Sequence, residues 1–323
     1  MTPTRSRPAR KISRRKPSST IPSPAKNESR EWTFRRSANI SILQSTALNK
    51  QKWLVHGFST RSGGVSSLPA AASQKSSAGI LNLGFSEWDE RANVEENRRR
   101  FMKGLGAAKM QLVALRQFHS DVIHVIHKNP PAPLRGDALI TSAPGLLLAV
   151  QTADCIPILL ADTRNHVVAA IHAGWRGTLK RIAEKTVGRM RMIFGTRPES
   201  IVVALGPGIR RCCFEVGPEV VKEFGSQFPA ARDWFDGPYD ALESGEDPNP
   251  LPWLNMMPPG HQPSEPRAQL DLHAANRAIL EGAGVPAKNI STSSLCTSCR
   301  TDLLFSYRRE KTTGRLLACI AIR

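Results

Sequence analysis

Two apolar runs, 156–161 (IPILLA) and 167–172 (VVAAIH), stand on either side of five polar residues, Asp162-Thr-Arg-Asn-His166. Each run is too short for a stable helix and rich in branched aliphatics, so the pair reads as two strands of an antiparallel hairpin. Runs of the same kind recur at 113–115, 122–126, 138–141, 146–150 and 201–205, and near the end at 289–295, 303–307 and 316–322. The last two are expected to be joined by a turn through Thr313-Gly314. Between the runs lie segments with helical periodicity. One is 86–105, with Ser86 as expected N-cap and Val94, Phe101, Met102 and Leu105 facing inward; the others are 177–194, 218–224, and a helix to Leu280 capped by Asp271. Such interleaving, without an internal repeat, predicts a mixed domain of helices and sheets.

Composition removes several classes of function. No apolar run approaches the roughly 20 residues a membrane-spanning helix requires. The net charge is 45 − 27 = +18 over 323 residues, and residues 1–36 carry eleven Lys/Arg against two Glu, so half the excess sits in the opening segment. That segment, rich in Pro and Ser, cannot bury enough surface to offset its ordering entropy. Residues 1–37 are therefore read as a disordered basic tail, with an organelle transit peptide as the alternative, and 38–323 as one domain with a loop-rich excursion at 228–268. The tail suits only weak, non-specific, salt-sensitive contact with nucleic acid. With two Tyr and no aromatics interleaved among the basic residues, base recognition is poorly provided for. Six cysteines and no export signal point to a reducing compartment. Cys296-Thr-Ser-Cys299 has the spacing of half a zinc ribbon, but no second such pair occurs, so it reads as a small polar turn.

Chemistry concentrates around the hairpin. If its centre lies between Thr163 and Arg164, Cys155 and His172 face each other on one side of the sheet, with Cβ atoms about 4.5–5.5 Å apart. Pro157 then predicts an edge strand or a bulge. A thiolate and an imidazole at that distance can share a metal, or His172 can activate Cys155 as a nucleophile. His119, in Gln117-Phe-His-Ser-Asp121, would complete a two-imidazole, one-thiolate set that leaves an open position on Zn²⁺. His124, His127, His166 and His261 lack an obvious partner. Two segments look suited to anions. Arg61 lies beside a Gly-Gly turn in HGFSTRSGGVS, and Gly174-Trp-Arg-Gly177 opens a helix with Arg176 adding charge.

The motifs HGFSTRSGGVS, LNLG, QFHSD, GDALIT, TADCIPILLAD, AAIHAGWRGTL, LGPGI and DLLFSYRRE with TGR, between residues 55 and 322, resemble the YfiH-like proteins. These have been called polyphenol oxidases or laccase-domain proteins, and are described as purine nucleoside phosphorylases with adenosine deaminase activity. The resemblance implies an α+β fold, a single domain of mixed β-sheets flanked by helices, cytoplasmic in most members. It implies a metal site of His119, Cys155 and His172, holding zinc with copper as the other candidate ion. The implied substrates are phosphate and the purine nucleosides adenosine, inosine and methylthioadenosine. Such chemistry needs a phosphate held near the sugar, for which Arg61 with Asn82 is the expected cradle. It also needs a group to hydrogen-bond or protonate the departing purine, Asp137 or Asp154, and an aromatic such as Trp175 to stack on the base. The basic tail, the loop 66–79 and the 228–268 excursion depart from the family pattern. A multicopper laccase is disfavoured, since none of the eight histidines forms a His-x-His pair. The remaining alternatives are a metal- or Cys-dependent amidase and a nucleic-acid-binding protein. Nothing in the sequence specifies an oligomeric state.

Overall fold

The strand Ile156–Asp162 is buried along its whole length, which requires cover on both faces. Its alternate residues supply two cores. Ile158 and Leu160 pack with Val187, Met190 and Ile279, while Leu159 and Ala161 pack with Leu148, Val150 and Ile320. The first set belongs to the helices Ile182–Phe194 and Leu272–Gly282, the second to another sheet. Burying a side chain such as Leu159 contributes about 1.5–3 kcal/mol. This computed structural model describes residues 31–69, 78–244 and 267–323.

One six-stranded sheet runs in the order Ile290–Thr292, Ile201–Leu205, Ile156–Asp162, Val167–Ala173, Ala138–Thr141, Ile123–Val125. The other runs Trp32–Ser37, Ile40–Ser45, Leu54–Ser59, Leu316–Ile322, Leu146–Thr152, Gln111–Ala114. The helix Arg91–Leu105 covers the second sheet's outer face, where Phe101 and Leu105 meet Val55, Leu147 and Leu317. The layers are thus helices, sheet, sheet, helix, an α+β fold. No helix among the described residues is long and apolar enough to cross a membrane.

Several expectations need correction. The hairpin pairs Ile156 with Ala173 and Pro157 with His172, so its centre lies between Arg164 and Asn165. Asp162 sets this longer turn by accepting from the backbone N–H of Arg164 (2.9 Å) and Asn165 (3.2 Å). The register is two residues from the expected one, and an even slip keeps Cys155 and His172 on a shared side. Pro157 lies in a central strand, flanked by Val167–Ala173 and Ile201–Leu205, not at an edge. Its missing N–H faces Gly206, whose own N–H donates to the Pro157 carbonyl. The Gly206 carbonyl accepts instead from His273 Nε2 at 3.0 Å, so a buried imidazole replaces the ladder bond that proline cannot make.

The first long helix starts at Arg91, not Ser86, because Asp89 is drawn into a buried network, accepting from Ser66 Oγ (2.7 Å) and Asn82 Nδ2 (2.6 Å). The expected 177–194 helix is two, Trp175–Leu179 and Ile182–Phe194, broken where Arg181 takes φ +58°. Residues 303–307 are not a strand. Ser306 caps a short helix, Tyr307–Glu310, instead. Ordered chain begins before residue 38, since Trp32–Ser37 pairs with Ile40–Ser45. Part of the 228–268 excursion is core, with Trp234, Phe235, Tyr239 and Leu242 buried beside Phe224. Residues 1–30, 70–77 and 245–266, including His261, lie outside the described residues. The Cys296-x-x-Cys299 turn does meet a second pair, Cys212-Cys213.

Candidate active site

Three segments converge at the end of the hairpin away from its turn. Cys155 immediately precedes the strand Ile156–Asp162, His172 lies near the end of Val167–Ala173, and His119 stands on the loop after Gln111–Ala114. The ligand atoms of His119, Cys155 and His172 all lie within 4.8 Å of one another. Cys155 Sγ is 3.7 Å from His119 Nε2, and the two imidazole rings are 5.0 Å apart. Their exposure is graded: His119 is exposed, Cys155 half-buried and His172 buried.

Local backbone geometry builds this cluster. His119 holds φ +62° and Asp154 φ +104°, both uncommon for residues other than glycine, so each ligand segment is bent against its preference. Asp137 fixes the first bend. Its Oδ2 accepts from Ser120 N (2.7 Å), Ser120 Oγ (2.5 Å) and Phe118 N (3.3 Å), and its Oδ1 from His119 N (3.2 Å) and His172 Nδ1 (2.8 Å). Gln117 holds the same loop to the sheet, donating to Gln151 O and accepting from Gln151 N. Asp154 fixes the second bend, accepting from Thr297 Oγ1 (2.6 Å), Ser306 Oγ (2.7 Å) and Arg308 N (2.6 Å).

Because a carboxylate only accepts, His172 keeps a proton on Nδ1 and directs Nε2, the nitrogen that can serve as a ligand once its own proton leaves, toward Cys155 and His119. Burial raises the Cys155 thiol pKa, but His172 and His119 outweigh it and bring the thiol down to about 6. Burial lowers His172, and the Cys155 thiolate and Asp137 carboxylate outweigh that, raising it to about 9. Burial likewise raises Asp137, while His172 and Ser120 together hold it at about 2. Space is reserved as well. A Cβ on Gly174 would sit 2.9 Å from Cys155 Sγ and 2.9 Å from His119 Cδ2. Two imidazoles, one readily ionised thiol, a carboxylate behind one imidazole and a glycine clearing the front fit a tetrahedral metal with an open position.

The other expected site residues are placed differently. Asp137 is wholly buried with both oxygens engaged, so it positions His172 and cannot reach a purine. Both oxygens of Asp154 are spent on the 297–308 segment. Arg61 is buried, paired with Glu310 at 2.5 Å and stacked over Phe305. Asn82 is fully buried, donating to Asp89 and Gly84 O and accepting from Arg315 N, so it supports the loop and offers no cradle. Trp175 packs on the core with Arg176 over its ring, and its helix is a five-residue turn. Arg315 is a cation that residue-by-residue reading passed over. It is half-buried and close enough to Asp154 and Cys155 for their charges to act on it. Two exposed aromatics are chain neighbours of site residues, Phe118 of His119 and Tyr307 of Ser306, and Arg315 lies over the Tyr307 ring.

A family model described as multi-copper polyphenol oxidoreductase laccase matches residues 55–323. The chain is also 40% identical over 268 residues to a purine nucleoside phosphorylase of Deinococcus radiodurans, covering 83% of this chain and 88% of the relative. The chain belongs to the YfiH-like, laccase-domain family. Another YfiH-like relative, named adenosine deaminase RL5 and from an unknown prokaryotic organism, is 36% identical over 230 residues, 68% of this chain and 78% of its own length. The crystal structure of YlmD from Geobacillus stearothermophilus superposes with a TM-score of 0.70 at 32% identity, over 90% of this chain and 98% of that one. Despite the multi-copper description, the metal-capable groups among the described residues of this YfiH-like chain are two, the His119/Cys155/His172 triad and a four-cysteine cluster.

Proposed function

We propose that this chain is a purine nucleoside phosphorylase that cleaves adenosine, inosine and methylthioadenosine with phosphate, and deaminates adenosine at the same site. One metal ion, zinc before copper, serves it through His119, Cys155 and His172. The observation that carries the reading is the convergence of three donor atoms backed by the Asp137–His172 bond, in a family whose relatives bear these two activity names.

When bound, the metal supplies Lewis acidity at the position the three donors leave open. The chain's own residues do the rest. Asp137 holds His172 in the tautomer that presents Nε2, and the Cys155 thiol ionises readily between two imidazoles. Arg315, in place of Arg61, provides the positive charge for phosphate, since Arg61 is already neutralised by Glu310. Phe118, exposed next to His119 in the chain with Arg135 over its ring, is the aromatic for a purine to stack on in place of the half-buried Trp175. The Cys155–His172 pair also suits a metal-free thiol nucleophile, the amidase reading, and chelation separates the two.

The test is incubation of adenosine with and without phosphate, following adenine, ribose 1-phosphate and inosine. Phosphate-dependent adenine with stoichiometric ribose 1-phosphate is the expected result. Absence of both adenine and inosine from metal-loaded protein overturns the reading, and amide hydrolysis that survives chelation would replace it.

A further inference from the structure

Cys212 and Cys213 lie 83 residues or more from Cys296 and Cys299 in sequence, yet the four sulfur atoms all fall within 4.8 Å of one another. Cys212 Sγ is 3.6 Å and Cys213 Sγ 3.3 Å from Cys299 Sγ. A zinc ion with Zn–S bonds of about 2.3 Å places its sulfurs about 3.8 Å apart at tetrahedral angles, whereas a disulfide requires about 2.05 Å. The four are free thiols at separations near those of a tetrahedral S₄ site. We propose that Cys212, Cys213, Cys296 and Cys299 form a second, structural zinc site, closed and separate from the His119/Cys155/His172 triad.

The surroundings have the form such a site needs. The Cys-x-x-Cys turn is a tight loop, with Arg300 N donating to Cys296 O at 3.0 Å. Arg210 N donates to Cys296 Sγ at 3.4 Å, an N–H···S bond that favours thiolate. Donor chemistry selects the ion, since four sulfurs with no oxygen or imidazole favour zinc over the harder divalent cations.

The site also has something to hold. Segment 206–214 and segment 293–300 meet through the Gly208–Cys296 bridge and the Thr297 N–H bond to Gly208 O (3.1 Å). Thr297, inside the Cys-x-x-Cys turn, donates to Asp154, the strained residue preceding Cys155. A zinc ion would clamp the two segments and so steady the ligand loop of the other site.

The experiment measures zinc per chain in full-length protein purified under reductant and reconstituted with excess zinc. Wild type, Cys155→Ser and the double variant C296S/C299S are compared. Two equivalents are expected in wild type and one in each variant. Cobalt(II)-loaded Cys155→Ser should show the strong near-ultraviolet charge transfer of several thiolate ligands. This spectrum decides the matter even where the double variant fails to fold. One equivalent in wild type, retained with that spectrum in Cys155→Ser, supports the cluster and instead refutes metal at the triad. Metal-free Cys155→Ser, or a Cys213–Cys299 disulfide found by mass spectrometry despite reductant, overturns the proposal.

Discussion

Replacing Asp137 by Asn tests how the fold sets the chemistry of its ligands. All five groups around the carboxylate are donors, two of them hydrogen-bonded to Oδ1 and three to Oδ2. An asparagine offers one acceptor and one donor. With its amide N–H₂ toward Ser120 and Phe118 it opposes two backbone N–H groups that cannot change. The opposite orientation opposes only one, the longer His119 N–H, so it is favoured and points the N–H₂ at His172 Nδ1, which must become an acceptor, and the imidazole proton moves to Nε2. The lone pair intended for a metal is lost. Loss of such an outer partner typically weakens metal binding 10–100-fold, about 1.4–2.7 kcal/mol, and the forced tautomer places Asp137→Asn at the upper end. Metal affinity by chelator competition, together with adenosine turnover in the same samples, reads this directly. Metal affinity within threefold of wild type in a folded Asp137→Asn protein would mean that Asp137 does not set the ligand state of His172.

Further expectations rest on other parts of the structure. A methyl group at Gly174 meets Cys155 Sγ and His119 Cδ2 at 2.9 Å while the backbone, at φ −77°, accepts alanine. Gly174→Ala should therefore lose metal affinity about tenfold or more, with an unchanged melting temperature. Arg315→Gln should raise the KM for phosphate about tenfold, the cost of one charge-assisted bond, and leave adenosine deamination intact; equal loss of both activities would remove Arg315 from phosphate binding. His273→Leu leaves the Gly206 carbonyl without its donor and should cost about 1–3 kcal/mol in urea unfolding. His56 is buried and accepts a hydrogen bond from Ser45 N at 3.0 Å, and burial holds its pKa down at about 3. The unfolded chain takes up that proton below about 6.5. The contribution is thus complete above pH 6.5 and lost as pH falls toward 3, about 2–3 kcal/mol by pH 4.5. His56→Gln should show a correspondingly shallower fall in stability between pH 7 and 4.5, and an unchanged slope would count against it.

What could be read from the sequence follows from which interactions are local. Strands buried on both faces, such as 156–162 and 316–322, announce themselves as continuous aliphatic runs, and Asp271 and Gly106 mark helix ends by chemistry within a few residues. The triad was reachable because a hairpin carries Cys155 and His172 together, and a two-residue slip preserved their side of the sheet. Side chains acting across long separations were not legible. Asp89 abolished the Ser86 cap by bonding to Ser66 and Asn82, and Asp154 turned an expected strand at 303–307 into a capped loop. Arg61 and Asn82 looked available because nothing local showed that Glu310 occupies the first and Arg315 the second. Cys212-Cys213 failed as a partner for Cys296-x-x-Cys299 only because its spacing differs from a second Cys-x-x-Cys.

A reconstitution titration reads whether His119, Cys155 and His172 jointly hold the metal on which purine nucleoside chemistry depends. Chelator-stripped wild type and Cys155→Ala are given increasing zinc, and phosphate-dependent adenine release is plotted against metal bound. Wild-type activity should rise with the one equivalent that Cys155→Ala fails to take up, and the variant should stay inactive at any zinc concentration. Full turnover by stripped wild type, or by a Cys155→Ala protein lacking that equivalent, would contradict that dependence.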